Sequence, residues 1–313
     1  MPSPLDLNLG AILIGVLLSS VLFGVVSVQV YVYFQSSFND TKRTQLLVTI
    51  TWIIECVWTI AIWIFLYDIM ITHYGDLGVL VFPHWALTLT SIANGIMGCI
   101  VQGYFAYRIF VLSGGLIIPI IAATGSALQL AGCFAMGILG HPLPVNVFAS
   151  RYAWVITSVV VLDLFTDTLN TAAICYYLRL SKRDITSTNR ALDILFTWSI
   201  QTGIVLSVTA LIILIFEQTL EGTAMWISVS LFYGKLYSNT FMASLNGRNF
   251  LRRAVLDKTM NTLDTTTAIS EGPNPAIRVN VQKTTYREDV IEMGSMDGRS
   301  KTFTKQSSEG ELV

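Results

Sequence analysis

Charge is what this chain has least of. Only 12% of its 313 residues are Asp, Glu, Lys or Arg, where soluble domains carry about 25%. That deficit excludes an ordinary water-soluble globule. The formal net charge of −1 shows no bulk basic character, so a nucleic-acid partner is not expected. Histidine is scarcer still. His73, His84 and His141 are the only three, and no two share ligand spacing on a helix, whereas a zinc site recruits three or four such ligands. No nucleophile elbow and no phosphate-binding loop is present. An enzyme is therefore not expected, nor is a cofactor. The four cysteines, Cys56, Cys99, Cys133 and Cys175, all fall inside apolar stretches. Buried free cysteine behaves as a small hydrophobe, so no disulfide framework is expected.

What the chain has in quantity is apolar sequence: 53% hydrophobic residues and a mean hydropathy of +0.62. Seven long runs account for it, at about 9–34, 46–67, 85–110, 116–139, 152–178, 191–216 and 222–244. Each exceeds the ~20 residues that span a bilayer, and none alternates with the period of a barrel strand. The fold class read from this is all-α: a seven-transmembrane helix bundle. Residues 1–8 carry no positive charge and the run after them is too long for a signal peptide, so they read as a short outer N-terminus. Residues 245–260 form a basic juxtamembrane segment, a candidate amphipathic helix on the inner leaflet. Residues 261–313 are rich in Thr, Ser, Lys and Glu, which reads as a disordered cytoplasmic tail.

The connections set the expected orientation. Of 19 Lys and Arg, ten lie from Arg248 onward. Most of the others border alternate ends of the helices: Lys42 and Arg43, then Arg108, then Arg179, Lys182, Arg183 and Arg190. The opposite ends carry Arg151 against Asp6, Asp68, Asp76, Glu217 and Glu221. Cationic loops stay cytoplasmic, so the N-terminus is expected outside and the C-terminus inside. The localisation expected is a multi-pass protein of the plasma membrane or another secretory-pathway membrane, with the lipid bilayer as its first partner. On this topology the sequon Asn39-Asp40-Thr41 lies in the cytosol and carries no glycan.

A rise of about 1.5 Å per residue converts sequence position into depth. Lys235 in helix 7 and Glu55 in helix 2 both fall about 14 Å from the inner surface, and Asp167 in helix 5 about 16 Å. Gln102 in helix 3 and Gln201 in helix 6 lie about 12 to 15 Å deep. Asp163 sits one turn outward of Asp167. On helix 7, Ser228, Lys235, Ser238, Asn239 and Asn246 share one face. Lysine in hydrocarbon costs about 2.5 to 3.5 kcal/mol. Lys235 is thus expected to pair with Glu55 or with Asp167 in an interior polar layer. That layer reads as a register-holding network or as a ligand or ion site. The third reading has Lys235 snorkelling to the headgroups.

Several stretches also carry a resemblance: Gln29 to Phe34, Val101-Gln102-Gly103-Tyr104-Phe105-Ala106-Tyr107-Arg108, Gln201-Thr202-Gly203, Lys235-Leu236-Tyr237-Ser238-Asn239 and Leu245-Asn246-Gly247-Arg248. Together they resemble a large family of basidiomycete fungal integral membrane proteins, described only as a domain of unknown function with seven helices. The resemblance covers about 9–253 and implies a fold and a fungal source, with no activity. Where that family tends to have Asp and then His one turn on in helix 2, this chain has Glu55 and Trp58.

Two function classes follow. In the first the chain is a receptor-like sensor or a structural bundle, with a cytoplasmic signalling partner at the inner loops and tail. Tyr107-Arg108 form its inner-face motif, similar to the charged triplet of G-protein-coupled receptors but with Ala106 where the acid would stand. Arg108 also reads simply as a topogenic charge. In the second it is a transporter or channel with Glu55, Asp167 and Lys235 as its site. A retinal protein is a remote third, since no acid stands one turn from Lys235 or in helix 3.

Overall fold

A computed structural model describes residues 4–36, 40–74, 83–180, 186–220 and 223–269. Among these residues the chain is all helix: α1 Pro4–Gln35, α2 Lys42–Tyr67, α3 Trp85–Ser113, α4 Ile117–Gly140, α5 Val145–Leu180, α6 Thr186–Thr219 and α7 Met225–Ile269. No strand occurs among them. Six helices, α1 to α6, are long and apolar enough to cross a membrane. Each of the six turns large apolar side chains outward, among them Ile14, Trp63, Val111, Ile117, Trp154 and Ile204. Apolar surface on this scale needs a lipid or protein cover, and the molecule is a helical bundle of the multi-pass membrane type.

Helix ends follow local chemistry. A π-helical turn, Asp68–Thr72, prolongs α2. His84 caps α3: its ring accepts the Ala86 N–H. Gly114 closes α3 in the left-handed region at φ 65°, where a side chain would clash. Pro144 immediately precedes α5, a position where its missing N–H costs nothing. Those first seven residues, about two turns, lie ahead of the expected start at Tyr152, and the chain leaves helical geometry at Tyr152 itself.

Helix α7 departs most from expectation. It does not end near Ser244 but continues as one helix through the segment read as juxtamembrane to Ile269. Gly247 explains the continuation. A Cβ there would stand 2.0 Å from Trp198 Cζ3, so this glycine admits a ring from α6 and does not terminate the helix. The residues from 270 onward, and Asn39 of the sequon, lie outside the described residues.

Helix α7 is also the hub of the bundle. From Met225 to Gly247 no side chain is exposed. Ser228, Ser230, Lys235, Ser238 and Asn239 make it too polar to rank with the six apolar helices, and enclosure by the bundle makes that polarity tolerable. It runs beside α1 in the same direction. Ser228, Asn239 and Asn246 donate to the carbonyls of Ala11, Leu22 and Gln29, at a constant offset of 217 residues. A constant offset, and not a constant sum, is the mark of parallel helices. Gly15 permits the approach, since a Cβ there would lie 2.4 Å from the Ser228 carbonyl oxygen.

Candidate functional site

Two polar networks occupy the interior, one on each side of α7. The first is centred on Lys235, which is fully buried. Its Nζ donates to Glu55 Oε2 at 2.7 Å and to Thr59 Oγ1 at 2.8 Å. The ring of Trp58 lies 4.6 Å from the ammonium and that of Phe23 5.6 Å. Charge, hydrogen bonds and aromatic faces together satisfy the cation. Glu55 and Thr59 lie one turn apart on α2, which aims both at the same point. Of the two partners open from the sequence, Glu55 is the one that pairs. Snorkelling is ruled out by the complete burial of Lys235.

The second network lies on α5. Asp163, Thr166, Asp167 and Asn170 form one buried stripe at helical spacing. The Gln102 amide on α3 donates to Asp163 Oδ1 at 2.7 Å and to Asp167 Oδ1 at 3.1 Å. From α7, Tyr237 donates its hydroxyl to Asp167 Oδ2, and Tyr233 and Tyr237 stand 3.1 Å apart through their hydroxyl oxygens. Tyr233 and Tyr237 sit two residues either side of Lys235, and so on the far face of the helix. One helix thus carries the cation on one side and the acid-binding phenols on the other.

The remaining sequence candidates separate. Ser238 is buried and donates to the Lys235 carbonyl at 2.9 Å. Asn239 donates to Leu22 O at 3.1 Å and to Lys235 O at 2.7 Å. Asn239 thus serves the α1–α7 packing and Ser238 bonds within α7; both donate to backbone carbonyls rather than to either charge. Gln201 is a correction. It is exposed and stands away from the layer, at a second cavity with Arg108, Trp198, Thr202, Thr240 and Ser244. The count that put it level with Lys235 does not hold: it lies beside Arg108 and Ser244, toward the other end of α3 and α7. Arg108 donates to Ser244 Oγ at 3.2 Å, tying the end of α3 to α7, while Tyr107 is exposed.

A cavity of about 150 Å³ lies between α3, α4, α5, α6 and α7 toward the His84 end. Its walls are mostly apolar, with Leu87, Met136, Ile156 and Trp226 among them, and Asp163, Gln129 and Tyr233 also line it. It therefore meets the acidic network directly. Sequence reasoning missed Thr59, Gln129, Tyr233 and Tyr237. The tyrosines could have been found, since two phenols at mid-depth one turn apart need polar partners. No group of three or more His, Cys, Asp or Glu that could hold a metal occurs among the described residues.

Residues 163–250 match a family of unknown function (DUF6534). That segment begins at Asp163 and includes Asp167, Gln201, Tyr233, Lys235 and Tyr237; it excludes Glu55 and Gln102. The similarity thus spans the acidic stripe of α5 and the hub helix, but only one side of the Lys235–Glu55 pair. No curated protein and no solved structure matches the chain.

Proposed function

We propose that the chain is a seven-span membrane protein of the receptor-like kind, which binds a small molecule in the cavity beside Asp163 and relays occupancy through α7. The seventh span rests on α7 running parallel to α1, as a serpentine of seven crossings requires. With the basic helix ends inside, the N-terminus and the cavity mouth face outward, and the Arg108 end faces a cytoplasmic partner. The surface of the plasma membrane or of another secretory-pathway membrane suits that arrangement. The reading carries no catalytic step and calls for no cofactor.

One observation carries it. The cavity lining includes Asp163 and Tyr233, and Tyr233 belongs to α7, the helix that both buried networks share. A ligand there would change contacts of the hub itself. Differential contact of that kind is what shifts a conformational equilibrium. The test is a thermal-stability screen of small molecules against the full chain in lipid nanodiscs. Hits that raise the melting temperature should lose their effect in Leu87→Trp, which fills the cavity. Hits unaffected by Leu87→Trp would remove the cavity from the account.

A second reading, transport, has its own support. The second cavity lies at the opposite end of α3 and α7, with Gln102, Asp167 and Tyr237 at intermediate positions along the helices. Two cavities separated by buried carboxylates are what a proton or cation path would need. Proton or cation flux into proteoliposomes, abolished by Asp167→Asn, would favour it. Tight liposomes would favour the receptor.

A further inference from the structure

Among the described residues, Asp163 and Asp167 form a buried carboxylate pair with no counter-charge in ion-pair reach. Both carboxylates are buried, at 2% and 5% exposure. They share a single amide hydrogen-bond donor group on Gln102 and are otherwise met by phenols. No ion pair among the described residues includes either. Lys235, the buried cation of the interior, is held by Glu55 on the other side of α7. Two carboxylates this near repel unless a proton or another cation lies between them. No Lys or Arg lines the adjoining cavity.

A second observation points the same way. Gln129 lines the cavity, is 3% exposed, and its Oε1 has no hydrogen-bond partner among the described residues. An orphaned buried acceptor is costly, and what answers it is a donor. The cavity therefore offers a carboxylate and an amide oxygen set in apolar walls. Its volume of about 150 Å³ is close to that of an engineered cavity that admits benzene.

Resting on the cavity reading above, we propose that the ligand is a small primary amine in its protonated form, its ammonium at Asp163 and Gln129 and its hydrocarbon body against Leu87, Met136, Ile156 and Trp226. An ammonium supplies the missing positive charge together with three N–H donors. A neutral alcohol would supply at most one donor and no charge.

The test uses the full chain in nanodiscs, with 2-phenylethylamine and its neutral counterpart propylbenzene as probes, and affinity read by calorimetry. The amine should bind at least tenfold tighter than propylbenzene. Asp163→Asn should erase that preference and leave propylbenzene binding where it was. Equal binding of the two probes, or a preference that survives Asp163→Asn, overturns the amine. The cavity reading then still stands if Leu87→Trp abolishes both. If neither probe binds and no other small molecule responds to Leu87→Trp, both readings fall. Should Asp163→Asn yield no folded protein, Gln129→Leu takes its place. At least a threefold loss of the amine preference is expected, and an unchanged preference counts against the proposal.

Discussion

An ammonium and a carboxylate removed from water each lose several kcal/mol of hydration, and their attraction returns it only when the geometry is good. Around Lys235 it is good: two hydrogen bonds under 3 Å and an aromatic face at 4.6 Å. Removing one partner should therefore cost more than removing both. Lys235→Met and Glu55→Gln are each expected to cost about 3–5 kcal/mol, because a buried charge or acid is left unanswered. The double variant Glu55→Met with Lys235→Met should recover most of that. Reversible unfolding in mild detergent measures the cycle, and additive single losses would mean that the pair does not couple. At the bundle end, His84 makes a pH prediction. Burial lowers its pKa from the ordinary 6.5, and Asp68, 3.9 Å away, opposes that only in part. The neutral ring also caps α3 by accepting the Ala86 N–H at Nδ1, an acceptor that protonation removes. With the folded value below the unfolded one, the contribution to stability is complete above about pH 6.5 and is lost as pH falls through the folded value. Besides Asp68, His73 joins this cluster, 3.3 Å from the same carboxylate. The melting temperature should fall as pH drops below about 6.5, and His84→Asn, which can cap without titrating, should flatten the fall. An equal fall in His84→Asn would place the titration elsewhere.

Register between α1 and α7 is a property of elements. Three side chains of α7 bond to backbone carbonyls of α1 at one offset, so a slip of a single residue breaks all three. Hydrogen bonds between membrane helices average about 0.6 kcal/mol and reach about 1.7. Asn239→Ala should cost an amount in that range. Gly15→Leu should cost more, since its side chain would need the space held by the Ser228 backbone. An Ala11→Cys and Ser228→Cys pair should cross-link on mild oxidation, since the Ser228 hydroxyl bonds the Ala11 carbonyl. A cysteine pair half a turn away, such as Ala11→Cys with Ser230→Cys, should not, and equal cross-linking of both would deny the fixed register. This contact was not legible in the sequence. A side chain that bonds a carbonyl leaves no complementary residue on the partner helix, so only the donors, Ser228, Asn239 and Asn246, are visible. Gln201 shows a related limit. Counting at about 1.5 Å per residue from an assumed helix end puts it level with Lys235, but how α6 packs sets it beside Arg108 and Ser244.

At the scale of the whole molecule, the apolar runs located α1 to α6 to within a few residues at most ends, because hydrocarbon sets a minimum length. The run at 222–244 also reads as a span, but its polar residues keep α7 out of the six helices apolar enough to cross. A helix with no exposed side chain from Met225 to Gly247 meets little lipid or water, so hydropathy alone under-reads it, while its glycines and amides record close packing. Glu55 and Asp167 stood equal as partners for Lys235 in sequence because both lie at similar depth. Only the azimuth of α2, which points Glu55 and Thr59 together, separates them. The account as a whole requires α7 to cross the bilayer beside α1, within the bundle. A pH-sensitive fluorescent tag ahead of Met1, and in a second fusion after Val313, tests this most directly in intact cells. Seven crossings put the two tags on opposite sides, so that external acid quenches the first and spares the second. Quenching of both, or of neither in cells where surface biotinylation shows the chain delivered to the plasma membrane, would mean an even number of crossings and would contradict the central place given to α7.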